Sequence, residues 1–132
     1  MWSHFSTSIP SKTKRERRRI MEYTGIFPDE ARKLVPEFGR QDGLGGMAIA
    51  HVKFFQPWGS WTWYVTEGEP VLDDDGTELD FEFFGFVVGE FPEWGSFSLN
   101  ELKSIHGPVG LKIERDIFWE PTPLKKCPGY TS

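Results

Sequence analysis

Carboxylates are the most abundant groups in this chain able to do chemistry. Glu67, Glu93 and Asp116 fall in three separate aromatic-rich segments. Two such acids brought together could cleave a glycosidic bond, one protonating the leaving group while the other attacks or activates water. Glu114 adds to the set, whereas Glu101 has a folding role three residues after Ser98, the spacing of a capping box. No motif supplies a nucleophile or general base beside these acids. His4, His51 and His106 form no HxH, HExxH or Cys-His spacing, so no metal triad is read. Asp73-Asp74-Asp75-Gly76 offers oxygen ligands to a hard cation but lacks the EF-hand spacing, and it reads as an acidic turn. The glycines of Gly39 to Gly46 lack the phosphate-loop order and lead into a β-like segment, so they read as a connector. No cofactor and no metal are expected, and an enzyme is the lesser reading.

Charge points instead to binding. The net charge of −5 is unevenly spread. Residues 1–24 hold Lys12, Lys14, Arg15, Arg17, Arg18 and Arg19 against Glu16 and Glu22, and the rest holds 18 acidic and 9 basic residues. A basic arm of this kind can neutralise phosphates and release counterions, which makes a nucleic acid one candidate partner. The acidic body allows the opposite, a surface that imitates nucleic-acid charge and occupies a basic groove on another protein. Glu93-Trp94 and Glu114-Arg115-Asp116 complete the candidate binding set, because neither run is needed to explain a strand or a helix. An exposed Trp2, Trp58 or Trp94 on a flat surface would favour binding. A deep pocket gathering two of the acids would favour a small carboxylate-based hydrolase.

These residues must be positioned by a small number of elements. From Ser11 the chain suits a short basic helix, and Pro28 to Leu34 a second, with acids first and bases last. Met47 to Phe55 and Ser60 to Thr66 are β-like and separated by Gln56-Pro57-Trp58-Gly59, which predicts an antiparallel hairpin. Alternation puts Trp61, Trp63 and Val65 on one face, and that face is expected to pack inward. Glu67-Gly68-Glu69-Pro70 is expected to break the strand, followed by an acidic connection to Asp80 and a third strand from Phe81 to Gly89. Phe91 to Gly95 reads as a turn around Pro92 and Gly95. A helix from about Leu99 to Ile105 follows the capping box, and Leu111 to Ile113 and Ile117 to Trp119 are the last β-like pieces.

At 132 residues the chain fits one domain able to bury its own core. With 12 Phe and 6 Trp, large rings must supply much of the burial. A lone Cys127 cannot form an internal disulfide, which fits a reducing compartment. No apolar run approaches the ~18 residues that span a bilayer, so a cytoplasmic protein is expected. The fold class is α+β, a small antiparallel sheet of about four or five strands with short helices on one face. Its parts are a basic arm over 1–24, the α+β domain over 25–120 and a Pro/Lys-containing tail over 121–132.

Three segments, HVKFFQPWGSWTWYVTE, FGFVVGEFPEWGSFSLNEL and ERDIFW, together resemble the domain of unknown function 2958 family in order, spacing and residue type. The matched positions include Glu67, Glu93, Trp94, Gly95, Glu101, Arg115 and Asp116. That family is common on plasmids, integrative elements and phages. The resemblance therefore implies an accessory or regulatory protein of a mobile genetic element; taken with the aromatic excess and the split charge, it is expected to be non-enzymatic and to act by macromolecular binding, with a component of host defence or DNA processing as one target.

Overall fold

The computed structural model describes residues 25–132. The basic helix and the binding residues Lys12, Lys14, Arg15, Arg17, Arg18 and Arg19 lie outside the described residues, as does Trp2. Helix α1 (Asp29–Arg32) comes first, then strands β1 (Ile49–Ala50), β2 (Val52–Phe55), β3 (Thr62–Leu72), β4 (Glu78–Val88) and β5 (Pro92–Ser98). Helix α2 (Leu99–Ser104), β6 (Glu114–Arg115) and β7 (Thr122–Pro123) complete the order. Five strands form one antiparallel sheet in the order β5-β4-β3-β2-β6, and β1 pairs with β7 in a separate two-stranded ribbon. This is the α+β class that the pattern predicts.

The first face of the sheet is closed by rings. Val52, Phe54, Trp63, Val65, Phe81, Phe83 and Phe97 project from β2 to β5 into one core with Phe27, Leu99, Leu102 and Ile113. Phe27 meets Phe81 and Phe83 edge-on at 4.8 and 5.0 Å between ring centres, a favoured aromatic geometry. Arg32 holds α1 over this core. Its guanidinium lies 5.1 and 5.2 Å from the Phe27 and Phe81 rings and forms a two-pronged ion pair with Glu78 at 2.7 and 2.6 Å. The capping box forms as predicted: Ser98 Oγ accepts from Glu101 N–H at 3.2 Å and Glu101 Oε1 accepts from Ser98 N–H at 2.7 Å.

The second face is also buried, contrary to the one-sided expectation. Tyr64 and Phe86 pack there against Ala48, Ala50, Leu124 and Cys127, with Trp119 and Tyr130 alongside. Residues 122–130 cross this face. The Tyr64 hydroxyl donates to Pro128 O at 2.7 Å, and Gly129 (φ +89°) lies so close to Val88 that a Cβ would sit 2.9 Å from its methyl. Burial pushes the Tyr64 hydroxyl up to about 12, with Cys127 adding to the rise, and pushes the Cys127 thiol up to about 11.

Four local expectations are corrected. Glu67 to Pro70 does not break the strand, because β3 continues to Leu72 and the reversal lies at Asp73 to Thr77. Gly68 is needed there for space, since a Cβ would stand 2.8 Å from Phe81 and from Glu82 O. Pro70 is tolerated because it shares a strand edge with Gly68, whose N–H bonds loop residue Pro36 rather than a strand. Asp73 Oδ1 accepts from the N–H groups of Asp75 and Thr77, so the acidic cluster builds its own turn. Pro92 to Gly95 is strand rather than turn. The turn is Gly89 to Phe91, and Pro92 takes the first position of an edge strand, where a missing donor costs least. Ile117 to Trp119 is not a strand, because Asp116 Oδ1 accepts from Phe118 N–H at 3.0 Å and folds the segment into a turn. Leu111 to Ile113 contributes only an isolated bridge, His106 to Lys112.

Candidate functional site

Strand register places the candidate residues. Pairing of β2 with β3 ends at Val52↔Val65, which leaves one edge of β3 free from Thr66 onward. A register shift between Val65 and Glu67 follows at once. Without it, Glu67 would share the apolar face of Trp63 and Val65. With it, Glu67 pairs with Phe84 and Glu69 with Glu82, so both acids project from the second face. Thr66, at the bulge, donates its hydroxyl to Phe84 O at 3.0 Å.

The free edge is taken by the loop of residues 36–45. Gly68 N–H donates to Pro36 O, and Gln41 Nε2 donates to Thr66 O and Ile49 O at 2.9 and 2.8 Å. Gln41 Oε1 accepts from Ile49 N–H at 2.7 Å. Glu67, only 4% exposed, accepts from Gly39 N–H through Oε1 at 3.1 Å and from Gln41 N–H through Oε2 at 2.5 Å. Glu69 accepts from Phe38 N–H at 3.1 Å. The buried carboxylate is thus satisfied by backbone donors on both oxygens, and it holds the loop in place.

The held loop and the sheet enclose an open depression of about 310 Å³, lined by Gln41, Asp42, Gly43, Gly45, Ala48, Thr66, Glu67, Phe84 and Trp94. Phe84 and Trp94 form its aromatic wall. Their rings are stacked, 5.6 Å between centres and 12° from parallel, and Phe86 meets the Trp94 ring edge-on at 5.7 Å. Trp94 remains 38% exposed.

Of the acids proposed for hydrolysis, only Glu67 enters this depression, where its neighbouring acid is Asp42. Glu93 alternates with Trp94 on β5 and pairs with Val87, so it projects from the other face. Asp116 follows β6 at the opposite edge. Four strand spacings separate β5 from β6, roughly 19 Å, beyond the separation of about 5–10 Å that a pair of catalytic carboxylates needs. Among the described residues no group of three or more His, Cys, Asp or Glu could hold a metal.

Arg115 and Asp116 have local partners, and Glu114 is exposed on β6. Glu114 pairs with Phe55 in β6. Arg115 Nε donates to Ile26 O at 3.1 Å and its Nη2 lies 3.7 Å from Glu30. Asp116 lies 3.6 Å from Lys53 Nζ, which in turn sits 5.2 Å from the Trp119 ring centre. Trp58 is half-buried, folded over Gly107, where a Cβ would stand 2.5 Å from its ring. Gln41, Asp42 and Phe84 escaped the reading of the sequence. The run Phe83-Phe84 did carry a signal, since adjacent strand residues take opposite faces and one of the two had to lie away from the main core.

Among the described residues no helix is long and apolar enough to cross a membrane. Comparison with curated proteins and with solved structures finds no match. A family model described as Protein of unknown function (DUF2958) matches residues 28–126, which include α1, the whole five-stranded sheet and every residue lining the depression. With well over half its length matched, the chain belongs to that family.

Proposed function

We propose that the protein is a non-enzymatic accessory or regulatory protein of a mobile genetic element, working in the cytoplasm by binding a macromolecule through the depression at Trp94. The observation that carries this reading is the exposed Trp94–Phe84 stack beside a loop held by a buried carboxylate. Trp is the residue type most often found to dominate binding energies, and a fixed loop lowers the ordering cost of association. Glu67 supports binding over hydrolysis, because both its oxygens already accept backbone hydrogen bonds.

The test is capture from host lysate, with and without nuclease treatment, by three forms: the full chain, its Trp94→Ala variant and a chain lacking residues 1–24. This reading predicts a partner kept by the arm-deleted chain and lost with Trp94→Ala. A partner kept by Trp94→Ala but lost on arm deletion would transfer the function to Lys12, Lys14, Arg15, Arg17, Arg18 and Arg19. One lost on nuclease treatment alone would make the target a nucleic acid.

A further inference from the structure

We infer that the depression at Trp94 is an arginine-binding site, filled by a guanidinium that a basic segment of the partner protein presents. This rests on the binding role proposed for the same site, and it commits that role to a protein ligand. Among the described residues the lining contains Asp42 and Glu67 and no Lys or Arg. Along β3 and β4 the surface that continues from it carries further acids, while the exposed Arg40 and Lys125 stand on the loop side, beside Gln41 and Gly46. Glu69 and Glu82 stand directly opposite each other on the same face, two residues from Glu67 and Phe84, a like-charge pairing that costs stability in a sheet. Burial raises the Glu82 pKa, and Glu101 and Asp80 add to the rise, so this acid has more like charge around it than it has compensation. Such an arrangement is relieved by an incoming cation and aggravated by a phosphate.

The aromatic wall narrows the choice of cation. A guanidinium is planar, weakly hydrated and stacks on an indole face, while its N–H fork can meet a carboxylate with two bonds. Asp42, exposed on the rim, is the acid free to accept that fork. Glu67 contributes charge from beneath, its oxygens being occupied by Gly39 and Gln41. At about 310 Å³ the depression lies at the small end of ligand sites, a fit for one long side chain rather than a nucleotide.

The probe is a capped Gly-Arg-Gly peptide, titrated into the full chain and followed by NMR at the amides of residues 41–45 and the Trp94 indole. Capped Gly-citrulline-Gly and a short single-stranded oligonucleotide serve as comparisons. Saturable shifts with the arginine peptide are expected, about tenfold weaker binding with citrulline, and roughly three- to tenfold weaker arginine binding in Asp42→Asn. Equal binding of citrulline and arginine overturns the cation claim. Stronger binding of the oligonucleotide at the same atoms overturns it too. If the arginine peptide shifts none of these atoms while lysate capture still depends on Trp94, the arginine assignment falls and the binding role stands. If the peptide binds as described but capture is insensitive to Trp94→Ala, the binding role falls and the cation site stands.

Discussion

Phe83 and Phe84 are neighbours in β4, identical in chemistry, and they meet opposite surroundings. Phe83 is fully buried, with the rings of Phe27, Phe54, Phe81 and Phe97 within 5.5 Å of it, centre to centre. Phe84 points to the other face, where the C-terminal segment covers Tyr64 and Phe86 and stops short. Its ring partner is Trp94, itself partly exposed. One face is therefore a completed core. The other is a core where residues 122–130 cover it and an open aromatic corner beside them. What keeps the corner open is the loop of residues 36–45, which is held at the edge of β3 by Glu67, Glu69 and Gln41 and does not fold down over Phe84.

The sharpest way to break this contrast is to truncate the ring on the closed side. Phe83→Ala is expected to cost about 3–5 kcal/mol, read as a fall in the urea midpoint, because a large cavity opens in a packed core. A loss below about 1 kcal/mol would mean that the first face is no better packed than the second. Glu67→Gln comes next, at about 1–3 kcal/mol, since one backbone donor loses its acceptor in a buried place. Its more specific readout is faster hydrogen exchange at Gly39 and Gln41; unchanged exchange there would show that the loop is held by something else. Ser98→Ala removes the capping oxygen of α2 and is expected to cost about 1 kcal/mol, an effect confined to the closed face.

The covered part of the second face has a pH signature. The folded-state values of Tyr64, about 12, and Cys127, about 11, are raised above 10.0 and 9.0. Groups raised in this way contribute stability that is complete below their unfolded values and lost as pH rises through the folded ones. Unfolding free energy should thus hold steady to about pH 9 and fall from there toward pH 12. Tyr64→Phe should flatten the upper part of that fall, at a cost of about 1 kcal/mol at neutral pH for the lost bond to Pro128. An alkaline limb identical in Tyr64→Phe would place the sensitivity elsewhere.

Much of the closed face was legible in the sequence. Ser98 and Glu101 announce α2 by spacing, and the paired β-like runs around Gln56 to Gly59 announce the β2–β3 hairpin, because caps and turns are local and carry their own chemistry. The open corner was legible only in pieces. Trp94 stood out by type, but the bulge after Val65 decides which face Glu67 takes. That choice is made by amide donors 26 and 28 residues upstream, at Gln41 and Gly39, which no local pattern around Glu67 reveals. Residues 122–130 were equally opaque: their burial rests on Leu124, Cys127 and Tyr130, spaced three apart, but Pro123, Pro128 and Gly129 interrupt the run and leave room for only the single turn Leu124–Lys126. Glu114, Arg115 and Asp116 stood out for the opposite reason. The charges of Arg115 and Asp116 looked unexplained until Ile26, Glu30 and Lys53 supplied the partners, while Glu114 takes its place through backbone pairing in β6.

Exposure alone would send a partner elsewhere. Phe118 is 83% exposed against 38% for Trp94, yet it stands on a turn and does not line the depression. Site-specific photo-crosslinking separates the two directly, with a benzophenone amino acid placed at position 94 or at position 118 of the full chain in the host cell. A binding role for the open corner predicts a discrete adduct from position 94 and none from position 118. An adduct from position 118 alone, or equal yields from both, would contradict it.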